Sequence, residues 1–277
     1  GRIFLGIAQG LIGVGTIVWG IGQVGAEHTA RAIGWNGIAS YGAIAIGAPL
    51  GVVMIDRLGF LSLGIALLVL AVLALLLIRN KPSIPVVRGV PLPFWSVFSL
   101  IAPYGISLTL ASIGYGTLTT FITLFYIDRG WFGAAYCLSV FGVCFILARL
   151  LFTNSINRFG GYSVAIACMT IETVGLGLLW LAPSTGYALA GAGLAGFGLS
   201  LVYPALGVEA VKQVPLTSRG AGLSAYAVFF DLALAIAGPI MGAIALNMGY
   251  PWIFFSAALL SVLGLTLTVG LSLRKAR

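Results

Sequence analysis

The feature that most constrains this chain is a succession of apolar runs, each about 20 residues or longer, recurring from its first residues to its last. A helix needs about 20 mostly apolar residues to cross the ~30 Å hydrocarbon core of a bilayer. Runs of that kind fall at 2–24, 33–55, 60–78, 95–125, 131–152, 163–182, 187–211, 220–246 and 251–273. Lipid admits only structures that satisfy every backbone polar group internally, and runs this long do so as helices. The expected fold is all-α and integral to the membrane, with about nine spans. A soluble surface cannot be assembled from 7% charged residues in a chain that is 60% hydrophobic. The 39 glycines suit membrane helices, whose backbones approach closely where side chains are small.

The net charge of +8 is scattered through short loops rather than massed on one face, which argues against nucleic acid as a partner. Cys137, Cys144 and Cys168 sit inside apolar runs without CxxC spacing or a neighbouring His, so neither a metal site nor a disulfide framework is expected. The charges instead fix an orientation. One set of alternate loops carries Arg31, then Arg79, Lys81 and Arg88, then Arg158, then Lys212 and Arg219, and finally Arg274, Lys275 and Arg277. The other set has Arg57 and Arg129, each preceded by an aspartate, and two loops without charge. The positive-inside rule places the first set, and the C-terminus, in the cytoplasm. Residues 79–93 hold four prolines and three positive charges and form the one linker-like stretch. They divide a three-span remainder, 1–78, from a six-span bundle, 94–277.

Segments on either side of that linker resemble each other at an offset of about 190 residues. Thr29-Ala30-Arg31, Gly47-Ala48-Pro49-Leu50-Gly51 and Gly59 correspond to Thr217-Ser218-Arg219, Gly238-Pro239-Ile240-Met241-Gly242 and Gly249. Gly/Pro pairs can recur by chance in glycine-rich helices, but these keep the same span position, membrane side and order. A six-span repeat implies a twelve-span parent, of which these are spans four to twelve and whose first three precede Gly1. Paired helical halves around a midplane site are the architecture of many secondary transporters.

At this point the residues resemble the major facilitator superfamily, and within it the bacterial arabinose-efflux-permease-like exporters. Arg2-x3-Gly6-x3-Gly10 is similar to the Arg/Gly motif of the fourth span. Gly42, Gly47, Pro49 and Gly51 are similar to the Gly/Pro motif of the fifth span associated with antiporting exporters. Arg149 and Asn157-Arg158-Phe159-Gly160-Gly161 resemble the second-half copy of the Asp-Arg-x-Gly-Arg loop, and Tyr203-Pro204, Glu209, Arg219, Asp231 and Gly238-Pro239 extend the likeness. The chain differs in reading Gly-Ala-Pro for Gly-Pro and Asn157 for Asp. The resemblance implies a two-bundle transporter in the bacterial inner membrane, working by alternating access as a monomer with a proton gradient and no cofactor, and exporting a small organic compound. The alternatives are proton-coupled uptake of a sugar or organic acid and, from another class, an intramembrane enzyme or receptor.

An ionisable residue near mid-bilayer costs about 2.5–3.5 kcal/mol on insertion scales, which makes it a functional candidate by default. Asp231, about twelve residues into its span, is the first candidate for proton coupling or substrate binding, against a structural hydrogen bond. Glu172 and Arg2 follow; for Glu172 an interhelical hydrogen bond is the stronger reading. Arg149, Arg158, Glu209 and Arg219 lie near span ends and form a candidate cytoplasmic gate, against ordinary surface pairing. Trp35, Asn36, Tyr41, Tyr104, Tyr115, Tyr203 and Tyr226 are candidate pathway residues, though aromatics also pack between helices. Gly47, Pro49, Gly51, Gly238, Pro239 and Gly242 are read as kink and close-contact positions. An intramembrane enzyme lacks support: the only His is His28, and no HExxH or GxSxG motif is present. A channel would call for charged rings, which are absent from the sequence.

Overall fold

A computed structural model describes residues 2–25, 28–81, 83, 90, 92–152 and 154–276. Among them are nine long helices: α1 (Arg2–Val24), α2 (Thr29–Leu58), α3 (Phe60–Ile78), α4 (Phe94–Asp128), α5 (Ala134–Leu151), α7 (Gly161–Trp180), α8 (Thr185–Val211), α9 (Arg219–Met248) and α10 (Pro251–Ala276). A five-residue helix, α6 (Ser155–Phe159), and a 3-10 turn at Leu216–Ser218 lie in the connections. Tight turns at Gly59, Gly160 and Gly249 have φ of 79°, 81° and 92°, which glycine adopts without a Cβ penalty. Eight of the described helices are long and apolar enough to cross a bilayer.

The main core draws on α4 through α10, with Tyr126, Tyr226, Phe125, Phe145 and Phe254 among its fully buried side chains. Its closest helix pair is α7 against α8. A Cβ at Gly175 would lie 2.7 Å from the Gly191 carbonyl, and one at Gly198 would lie 2.6 Å from the Cys168 carbonyl. Small residues thus bring backbones into contact, which is how helices associate where lipid removes the hydrophobic drive between them. Hydroxyls add stitches across helices. Ser107 Oγ donates to the Gly264 carbonyl at 2.9 Å, Thr109 Oγ1 to the Phe229 carbonyl at 2.7 Å, and Ser200 Oγ to the Phe145 carbonyl at 2.6 Å.

A smaller core joins the first helices to the rest: Ile17 of α1 and Ile33 of α2 pack with Val211 and Leu223. Helix α3 buries none of its side chains. Gly47 and Gly238 differ from the close-contact expectation, because a Cβ at either would meet nothing within 4 Å. Gly242 sits 3.7 Å from Phe121 and Gly51 3.6 Å from Leu63 by the same measure, ordinary contact distances. Close approach of α4 and α9 occurs instead at Gly116, opposite Ala237, and at Gly105, opposite Phe229. Pro239 lies inside α9 as expected, with Pro103 and Pro204 likewise inside α4 and α8. The side chain of Pro49 lies outside the described residues, as do those of Arg2 and Tyr41.

Candidate functional site: a cavity lined from both halves

A cavity of about 530 Å³ opens where α1 and α2 face α4, α5, α8 and α9. Its polar lining is Gln9, Asn36 and Ser40 from the first half, and Ser112, Tyr115, Arg149, Tyr203 and Asp231 from the second. The apolar lining includes Phe145, Leu199, Phe230 and Leu234. A concave, mostly apolar space with a few convergent polar groups is the ordinary form of a small-molecule site.

Each helix presents its polar residues to this space by its own periodicity. Asn36 and Ser40 are four apart on α2 and Gln9 and Gly13 four apart on α1, so each pair shares a face. Thr16 Oγ1 on α1 donates to Asn36 Oδ1 at 3.1 Å and fixes the amide between the two helices. On α9, Ala227, Phe230, Asp231 and Leu234 repeat at three and four residues, which puts Asp231 on the cavity face. Tyr115 stacks on Phe141 at 5.3 Å and lies parallel to Phe230 at 6.4 Å, while Tyr203 meets Phe230 edge-on at 5.8 Å. Tyr203 also lies within electrostatic reach of both Asp231 and Arg149.

Arg149 is 3% exposed and lies buried among the helices. Its Nε donates to the Ser200 carbonyl at 2.9 Å, and its Nη1 to the carbonyls of Gly34 at 2.9 Å and Ile33 at 3.2 Å. The guanidinium lies over the Phe145 ring, 4.9 Å from its centroid. Phe145 is one turn nearer the start of α5, and helical side chains lean toward their own N-terminus. Arg149, two residues before the end of α5, therefore reaches back along that helix, between α2 and α8, rather than past its end. Room for it comes from Gly37, where a Cβ would overlap the guanidinium.

Among the described residues, the four expected to form one gate make no hydrogen bond or ion pair with one another. Glu209, 2% exposed, pairs with Lys212 at 2.7 Å and Lys275 at 2.8 Å, neither of which the sequence marked as its partner. Arg158 is exposed and lies over Phe159, 5.1 Å from its centroid. Arg219 starts α9, with its Nε buried and unbonded. Among the pathway candidates, Asn36, Tyr115 and Tyr203 line the cavity, whereas Tyr104 bonds the Tyr162 hydroxyl at 2.9 Å and Tyr226 donates to the Tyr203 carbonyl at 3.0 Å, both away from it. Trp35 borders a separate small pocket. Glu172 is 1% exposed and lies behind α4, against Gly114 and Gly198, with its Oε2 unbonded.

Residues 130–277 match the Major Facilitator Superfamily. Across its whole length the chain is 53% identical to an MFS-type transporter of Pseudomonas aeruginosa (strain UCBPP-PA14), covering 69% of that protein. The chain belongs to the major facilitator superfamily. It is also 50% identical over 276 residues to an MFS-type transporter of Burkholderia mallei (strain SAVP1), covering 68% of it. Its fold matches that of a bacterial homologue of the iron transporter ferroportin solved in an outward-facing state. There the TM-score is 0.66 at 16% identity, over 90% of this chain and 65% of the solved one. This superfamily is one of transporters, not enzymes, and the chain is accordingly a multi-pass membrane protein. Gln9, Ser40, Ser112 and Phe230 are cavity residues that the sequence reading passed over. The i, i+4 pairing of Gln9 with Gly13 and of Asn36 with Ser40 is the signal that marks the first two.

Proposed function

We infer that this superfamily member carries a small organic compound across the bacterial inner membrane by alternating access, as a proton-coupled exporter. The observation that carries the reading is one cavity lined by α1 and α2 from before residues 79–93 and by α4, α5, α8 and α9 from after them. Rocking two bundles about such a space exposes it to each side in turn. Residues 79–93 serve as the cytoplasmic linker between the bundles, and the C-terminus lies on the same side by loop charge. Asp231 is the proton carrier of choice, because a carboxyl on a cavity wall can take a proton and release it as water enters. The export direction rests on the Gly47-Ala48-Pro49-Leu50-Gly51 motif. The protein works as a monomer and needs no cofactor.

Proton-coupled uptake of a sugar or organic acid is the second reading; the buried cation Arg149 on the cavity wall suits an organic acid in either direction. Both readings are tested by reconstituting the full chain in vesicles, imposing a proton gradient of each polarity and measuring movement of a panel of organic compounds. Transport driven by the gradient supports proton coupling, and its polarity decides between export and uptake. Movement unaffected by either polarity refutes the coupling.

A further inference from the structure

Among the described residues, Arg149 alone lines both the cavity and a small second pocket formed with Gly34, Trp35, Ile38, Ile156, Leu201 and Pro204. That pocket reaches Ile156 in α6, on the linker side of the molecule. The guanidinium thus stands in the partition between cavity and linker side. Its bonds to Ile33 and Gly34 cross to α2, while its bond to Ser200 stays with α8. One side chain therefore closes the partition and ties the two halves of the repeat together, in a slot that Gly37 keeps open.

The Ile33 and Gly34 oxygens that accept from Arg149 are neutral carbonyls. A carboxylate offers a guanidinium a charge-assisted, two-pronged pairing that is stronger and fits its planar fork. The space next to Arg149 has the aromatic faces of Tyr115, Phe145, Tyr203 and Phe230 for the rest of such a molecule. We propose that the cavity takes organic carboxylates with an apolar body, that Arg149 is the residue selecting the carboxylate, and that pairing with it releases α2 from α5 on the linker side. The proposal rests on the transport reading for its purpose but not for its chemistry.

Linkage gives the arrangement a direction. Affinity for the carboxylate is high when the linker side is open and Arg149 is free of α2, and low when Arg149 is bonded to the carbonyls of Ile33 and Gly34. An exporter needs that asymmetry, loading on the linker side and unloading on the other.

The test places spin labels at Arg31 of α2 and Leu151 of α5, both exposed, in the full chain with Cys137, Cys144 and Cys168 changed to Ala. The distance between them is measured with acetate, hexanoate, benzoate and naphthoate, and with the amide of each. At least one carboxylate should raise the long-distance population fivefold or more, with its amide inert. Arg149→Gln should lengthen the distance without ligand and abolish the response to carboxylate. Gly37→Ala, which keeps the charge but fills its slot, should lengthen the distance and leave the carboxylate response in place; it stands in if Arg149→Gln fails to fold. Equal effects of acid and amide, or none from any carboxylate, overturn the proposal. Proton-driven movement of uncharged compounds alongside that negative result leaves the transport reading intact. A carboxylate response without movement of any compound removes the transport reading and leaves the binding proposal standing.

Discussion

The ammonium of Lys275, close to the end of α10, lies 2.8 Å from the carboxylate of Glu209, which sits two residues before the end of α8. Lys212 approaches the other oxygen at 2.7 Å. The carboxylate is 2% exposed, while both lysines are about half exposed. The pair joins two helices that follow residues 79–93, so it does not span the two halves of the repeat.

That asymmetry of burial predicts an asymmetry of effect. Replacing both lysines by Met leaves a buried carboxylate unpaired and should cost about 2 kcal/mol or more. Glu209→Gln leaves two lysines that can turn to water and should cost less than about 1 kcal/mol. Thermal unfolding in detergent checks both. A larger loss from Glu209→Gln would show that the lysines, not the carboxylate, bear the cost of burial.

The packing of α7 on α8 predicts opposite outcomes for two glycines on one helix. Gly175→Ala drives a methyl into backbone atoms of Gly191 and Ala195, which cannot move aside, and should destabilise by about 1–3 kcal/mol. Gly177→Ala meets nothing within 4 Å and should be neutral or slightly stabilising. Melting temperatures of the two variants, measured side by side, decide the matter.

Glu172 predicts a dissociation of burial from function. Its carboxyl is buried, carries an unbonded oxygen and is absent from the cavity wall. Glu172→Gln should retain proton-driven transport within about twofold and fold as well as the parent, since it keeps shape without a buried charge. Loss of proton coupling in this variant, measured in vesicles, would put Glu172 on the proton path.

The span map was largely legible in the sequence. The run at 60–78 is α3 to the residue, and the others agree within a few residues at each end, because apolar length is a one-dimensional signal. Asp231, which lines the cavity, was legible as a candidate because a lone acid in an apolar run is conspicuous. Facing and depth were harder to read. Tyr226 precedes Asp231 by five residues, which turns it about 140° around the helix and off the cavity face. Tyr104 shares a face with Tyr115 but lies eleven residues, about 16 Å, along α4 at the level of Tyr162. The Cα of Arg149 lies near a span end, whereas its long side chain carries the charge to carbonyls of α2 and α8, which span position does not reveal. Glu209 found partners from an adjacent turn and from a helix 66 residues away, and only the second was invisible to local spacing.

The central claim is that the cavity between the two halves is the transport site and that Asp231 on its wall carries the proton. It is tested most directly by comparing the parent protein with Asp231→Asn in vesicles, using a compound that the parent moves under an imposed proton gradient. The account predicts that the variant folds normally and loses gradient-driven accumulation at least tenfold. It also predicts that unlabelled compound inside still exchanges for labelled compound outside in that variant, because exchange requires the cavity but not the proton. Accumulation by Asp231→Asn at the parent's rate would contradict the account.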